Sequence, residues 1–172
     1  MKKLWCVFFL LLTSISVYAD ECKVKLPTGA KMAGVSATWQ GGCNSDGYAE
    51  GQGSGSIYRK GKLQARYTGS AHDGIPSGRG VVEYIDKQSR YEGAMAGGLP
   101  NGQGVKTWKN GERYQGAFKN GERTGYGVYT WKNGAHYEGQ FVNGKMEGKG
   151  TYISASGRKS SGTWKNNRLI SK

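Results

Sequence analysis

A pattern of 23 residues recurs along this chain and limits its fold more than any other feature. The run Tyr137-Glu138-Gly139-Gln140-Phe141 is followed by Gly144, Gly148, Gly150 and Gly157. One period earlier stand Tyr114, Gly116, Phe118, Gly121, Gly125, Gly127 and Gly134. Another period earlier stand Tyr91, Gly93, Met95, Gly98, Gly102, Gly104 and Gly111. A step of 24 then reaches Tyr67, Gly69, Ala71, Gly74, Gly78 and Gly80, the extra residue falling in the loop 86–89. Upstream the pattern decays to Trp39, Gly41 and Cys43, followed by Gly47, Gly51, Gly53 and Gly61. Downstream, Gly162 and Trp164 begin a last half-unit in which Ser160 replaces the tyrosine. Clear repeats thus lie between a degenerate leader and a truncated end, as an array with atypical caps requires.

Inside a unit the period is two. Tyr137, Gly139 and Phe141 alternate with His136, Glu138 and Gln140, which is strand behaviour. Asn143-Gly144 then offers a two-residue hairpin turn, since both residue types tolerate positive φ. Each unit reads as one β-hairpin. The glycines fall on the parity of the aromatics, so a ring can lie flat against backbone that has no Cβ, supplying the buried area the glycine lacks. The expected fold is all-β, an elongated single-layer antiparallel meander of consecutive β-hairpin repeats, with about 11 strands and a length of ~50 Å at the usual strand spacing. Such a sheet has no deep core and depends on contacts between adjacent repeats.

Composition narrows the function classes. Glycine is 30 of 172 residues, but with only 3 Pro and no triplet period the chain is not collagen. The 11 Tyr, 5 Trp and 4 Phe exclude a glycine-rich disordered tail. So much glycine also leaves little side-chain volume for a large two-layer enzyme core. Lys2 and Lys3, the apolar run Leu4 to Leu12 and the small or modest residues Val17-Tyr18-Ala19 form a secretory signal pattern, with cleavage expected after Ala19. The run is shorter than the ~20 residues of a membrane span. The expected organisation is a signal peptide over 1–19, a leader over 20–38 and a repeat array over 39–172. Export makes the protein periplasmic or secreted. Cys6 leaves with the signal, so Cys22 and Cys43 remain as an even pair, and in an oxidising compartment a disulfide is the default. It would close a loop worth up to ~3 kcal/mol.

Tyr-x-Gly-x-Phe followed by Gly-x-x-x-Gly-x-Gly and an aromatic resembles the MORN repeat, well over 67–164 and loosely over 39–61. The leader from Cys22 to Trp39-Gln40-Gly41-Gly42-Cys43 is similar to that of small exported bacterial MORN-repeat proteins. The resemblance implies a β-hairpin scaffold that binds phospholipid or protein, and it carries over no catalytic activity. Met95 and Ala71 depart from the pattern at the inner aromatic position, and Ser160 at the leading tyrosine.

No catalytic constellation emerges. His72 maps onto Ala96 and Lys119, and His136 onto Arg66, Arg90, Arg113 and Lys159, so each sits in a series of ordinary substitutions. Ser154, Ser156, Ser160 and Ser161 lack a nucleophile elbow. Nothing has metal-ligand spacing, and no cofactor is expected. Two surfaces stand out. Tyr91, Tyr114, Tyr137, Phe118, Phe141, Trp108 and Trp131 share one face, either as core or as a contact surface for a protein partner. Arg66, Arg90, Arg113, His136 and Lys159 form a ladder on the other face, and Lys165 adds to it. Glu92 and Glu138, two residues past ladder positions, are placed to neutralise it locally. Residues 20–105 carry 10 basic and 8 acidic side chains, net +2, and residues 106–172 carry 13 and 4, net +9. That half suits an anionic lipid or cell-envelope polymer at roughly 1 kcal/mol per nearby cation, or is simply a solvated face. The leading expectation is an exported, non-enzymatic protein-binding scaffold, with the anionic surface as the alternative. Export argues against nucleic acid. Both end strands are edges, so self-association by strand pairing is a further expectation.

Overall fold

The structure is a computed structural model describing residues 22–26 and 34–171. The expected signal peptide and, of the leader, residues 20, 21 and 27–33 lie outside the described residues. The rest is one antiparallel sheet whose strands follow chain order without a crossover. The first strands are β1 (Val35–Cys43), β2 (Ala49–Arg59), β3 (Lys62–His72), β4 (Ile75–Tyr84), β5 (Ser89–Ala96) and β6 (Leu99–Trp108). There follow β7 (Arg113–Lys119), β8 (Glu122–Thr130), β9 (His136–Val142), β10 (Lys145–Ile153), β11 (Lys159–Lys165) and β12 (Arg168–Ser171). The sheet is all-β and a meander of hairpins, as the period indicates. It has 12 strands instead of about 11, because Asn166 and Asn167 (φ 48° and 66°) turn the last half-unit into a complete hairpin. Strand β1 starts at Val35, four residues ahead of Trp39.

Two kinds of turn alternate along the two long margins. One margin carries tight tips such as Asn120-Gly121 and Asn143-Gly144, with both residues at positive φ in each. This is the hairpin turn whose twist matches that of the strands. The opposite margin carries wider loops. In one of these Trp131 N–H donates to the Ala135 carbonyl at 2.9 Å and Gly134 N–H to the Trp131 carbonyl at 3.0 Å.

Glycines align across the sheet. Gly53, Gly69, Gly80, Gly93, Gly104, Gly116, Gly127, Gly139, Gly150 and Gly162 pair in register from strand to strand. The tyrosine rings lie over this row. A Cβ added at Gly104 would sit 2.5 Å from Tyr91, and one at Gly127 2.5 Å from Tyr114. The ring therefore occupies the space that any larger residue would need.

Beyond the glycine row the register shifts, for example between Gly116 and Ala117. The hairpin tips past these bulges curl over the tyrosines. Each tip reaches the one before it: Gly98 N–H donates to Pro76 O at 3.1 Å, Gly121 to Pro100 at 2.9 Å, Gly144 to Arg123 at 2.9 Å and Asn167 to Met146 at 3.1 Å. Tips two strands apart in a flat sheet would stand about 10 Å from one another, too far to bond. The curl also corrects the expectation of a coreless sheet. Tyr91, Tyr114 and Tyr137 are 0% exposed, and with Phe118, Phe141 and Met95 they form a continuous core.

At the N-terminal end, Cys22 and Cys43 are joined by a disulfide. Lys23 N–H bonds Gly47 O at 2.8 Å and Lys25 N–H bonds Gly74 O at 2.7 Å, so residues 22–26 lie along the first tips.

Candidate functional site

The aromatic face divides into a closed row and a half-open row. In the closed row Tyr91, Phe118, Tyr114, Phe141, Tyr137 and Trp164 follow one another with ring centroids 5.0–5.3 Å apart and near-perpendicular planes. This edge-to-face geometry is the favoured one for aromatic pairs. Each leading tyrosine donates its hydroxyl to the carbonyl three residues on: Tyr67 to Ser70 (2.6 Å), Tyr91 to Ala94 (2.7 Å), Tyr114 to Ala117 (3.1 Å) and Tyr137 to Gln140 (3.2 Å). Those carbonyls lie on the curled tips, so the hydroxyls pin the curl. Burial pushes the Tyr67, Tyr91 and Tyr114 hydroxyls up to about 12.

This burial corrects the sequence-based contact surface. Tyr91, Tyr114, Tyr137, Phe118 and Phe141 are core residues, closed to a partner by the tips above them. Trp108 and Trp131 differ. They are half-buried and belong to a second row, nearer the wide loops, that the tips do not cover. There Trp108, Tyr129, Trp131 and Tyr152 succeed one another at 5.7, 5.0 and 5.5 Å. Tyr84 extends the same face on β4. Tyr129 donates its hydroxyl to Glu112 at 2.7 Å, and its hydroxyl is pushed up to about 12 by burial first and then by that carboxylate. A cavity of about 260 Å³ lined by Arg123, Tyr129, Trp131, Phe141 and Met146 opens on this row.

Arg123 is the unexpected member. Its guanidinium lies 4.9 Å from the Tyr129 ring centroid, 5.5 Å from Phe141, 5.7 Å from Tyr114 and 6.0 Å from Trp108. It donates to Gly144 O on the next tip. Sequence reasoning missed Arg123, Lys106, Tyr84, Tyr129 and Tyr152. A signal was present, because the repeat register gives Pro76, Pro100, Arg123 and Met146 at one position and Val82, Lys106, Tyr129 and Tyr152 at another. A cation in an apolar series marks a site.

The basic ladder lies on the opposite face, where Arg66, Arg90, Arg113, His136 and Lys159 alternate in parity with the tyrosines. Arg90 is neutralised by Glu92 at 2.8 Å. Arg113 donates to Gln115 at 2.8 Å. Glu138 takes the hydroxyl of Tyr126 at 2.7 Å instead of facing His136. Lys159 and Lys165 are exposed. His72 stands apart on the first tips, its Nδ1 3.0 Å from Glu50, whose hydrogen bond raises the imidazole pKa. Among the described residues no group of His, Cys, Asp and Glu is arranged to hold a metal ion.

No curated protein matches the chain. In the same register as the buried tyrosines, three consecutive segments, residues 91–113, 114–136 and 137–157, each match the MORN repeat.

Proposed function

We propose that this is an exported, non-enzymatic scaffold that captures a protein partner along the half-open aromatic row. The carrying observation is the unbroken sequence Trp108, Tyr129, Trp131, Tyr152, left half-buried on a face whose other row is closed. Large rigid rings of this kind supply contact area at low entropic cost and dominate protein interfaces. A binding role accords with the MORN repeats, and export rests on the pattern of residues 1–19. The test is capture from cell-envelope extract by immobilised protein, with Trp131→Ala plus Tyr152→Ala as the comparison. Loss of a specific captured protein supports the reading. Undiminished capture by a folded double variant refutes it.

A second reading has its own observation. Both ion pairs among the described residues lie before residue 93, while residues 106–172 carry net +9. The C-terminal half could then hold an anionic lipid or envelope polymer. Co-sedimentation with anionic vesicles that fades as salt rises supports this reading, and salt-insensitive or absent binding rejects it.

A further inference from the structure

Positive charge is concentrated at one end of the half-open row, in places where the repeat does not call for it. Lys106 is the one cation in the series Val82, Lys106, Tyr129, Tyr152. Its ammonium lies 5.0 Å from the Tyr84 ring centroid and 5.5 Å from that of Trp108. Lys87 reaches the same Tyr84 ring at 5.6 Å. Arg123 reaches Trp108 at 6.0 Å and Tyr129 at 4.9 Å. Three cations therefore share the rings of Tyr84, Trp108 and Tyr129.

Among the described residues none of the three has a carboxylate within ion-pair distance. Glu112 is engaged by the Tyr129 hydroxyl. The charge of Asp86 reaches Lys106, and that of Glu112 reaches Arg123. Burial, Lys87 and Arg123 together hold the Lys106 ammonium below its ordinary pKa, so the cluster repels itself. Beside it, Ser89 pairs in register with both Tyr84 and Trp108. Ser89 is 8% exposed and its hydroxyl has no hydrogen-bond partner. It borders an open groove of about 630 Å³ lined also by Glu83, Tyr84, Arg90, Trp108 and Lys109. Self-repelling cations set among aromatic walls are complementary to carboxylates on a slender chain.

We infer that the row from Tyr84 to Tyr129 docks an extended acidic segment of a protein, with Lys106 and Arg123 taking its carboxylates and Tyr84 and Trp108 its side-chain surface. This rests on the protein-capture reading and names the partner's chemistry. A bilayer is the poorer occupant, because Lys106 and Arg123 are recessed among rings instead of standing at a rim. A membrane surface is met by protruding cations such as those of the opposite face.

The test is fluorescence anisotropy of the purified protein with a short fluorescein-labelled glutamate-rich peptide and its glutamine twin. The glutamate peptide should bind at least about tenfold tighter, and more weakly as salt rises. Lys106→Gln should cost about tenfold for the glutamate peptide alone. Lys87→Gln, an exposed change that spares the fold, should weaken it in the same direction, and Arg113→Gln on the opposite face should change nothing. Absence of binding to either peptide overturns the inference, as does indifference to Lys106→Gln. Phosphatidylserine vesicles that bind in place of the peptide and release on Lys106→Gln overturn it in favour of lipid. Equal affinity for the twins that still falls with Trp131→Ala plus Tyr152→Ala overturns the acid preference and leaves the aromatic contact standing. Peptide binding indifferent to every one of these changes overturns both.

Discussion

Gly127→Ala tests the central packing device. Gly127 lies in extended backbone, so the substitution adds no backbone strain. The new Cβ would sit 2.5 Å from Tyr114 Oη, 2.6 Å from Cε2 and 2.7 Å from Cζ. The ring cannot swing aside, because Phe118 and Phe141 meet it edge-on at 5.1 and 5.0 Å. Overpacking of this kind costs ~1–3 kcal/mol. Displacing the hydroxyl from Ala117 O adds ~1 kcal/mol. The expected loss is thus about 2–4 kcal/mol by urea denaturation, followed by tryptophan fluorescence. Tyr114→Leu alone should also cost about 2–4 kcal/mol, through the cavity it leaves. Combined, the two changes should cost less than their sum by ~1–3 kcal/mol, since the methyl enters vacated space. Gly134→Ala is the control. It has φ +85° with nothing within 4 Å of the added Cβ, so only backbone strain of ~1–2 kcal/mol applies. That cost should add to Tyr114→Leu without coupling. A Gly127→Ala protein within ~0.5 kcal/mol of the parent, or strict additivity with Tyr114→Leu, would show that the ring does not need the glycine.

Other predictions follow from the same geometry. Tyr67, Tyr91 and Tyr114 hold their protons to about 12 when folded, against about 10 when unfolded, so their contribution is complete below pH ~10 and is lost as pH rises through ~12. The free energy of unfolding should fall across that window by ~1–3 kcal/mol per tyrosine, with the tyrosinate absorbance of these three appearing only on unfolding; a flat profile would contradict the burial. Tyr137→Phe keeps the ring but frees the Gln140 carbonyl, and should cost ~1 kcal/mol by the same denaturation assay. Reducing the disulfide between Cys22 and Cys43 should cost up to ~3 kcal/mol, and hydrogen exchange should rise in β1 and the Gly47 region while β7–β10 stay protected.

The architecture was legible in the sequence because local rules carried it. Asn143-Gly144 announces its turn, and Tyr137, Gly139 and Phe141 announce a strand face. The parity of glycines and rings also indicates that tyrosines lie over bare backbone. What local rules could not convey was closure. A Tyr114 hydroxyl bonded to Ala117 O, or a Gly121 amide bonded to Pro100 O, exists only once a bulge has tilted the tip. Without that tilt, Tyr91, Tyr114 and Tyr137 read as core over most of each ring and still as a contact surface. The site was blurred for the same reason. Its rings, Tyr84, Tyr129 and Tyr152, follow the repeat less strictly than the buried tyrosines do. Its cations, Lys106 and Arg123, break the repeat altogether.

The bonds between hairpin tips also have a direction. From Gly98 onward, in each backbone–backbone bond between tips, the donor sits on the later unit and the acceptor on the earlier one. A hairpin made after its predecessor therefore meets a finished template with a carbonyl waiting. Growth from the N-terminus, where residues 22–26 and the disulfide secure the first tips, can proceed by successive addition without waiting for distant segments. An array halted at the boundary after Gly98 or Gly121 presents a tip carbonyl to water. One stripped from its front leaves the first tip's N–H to water, where the preceding unit's carbonyl had received it.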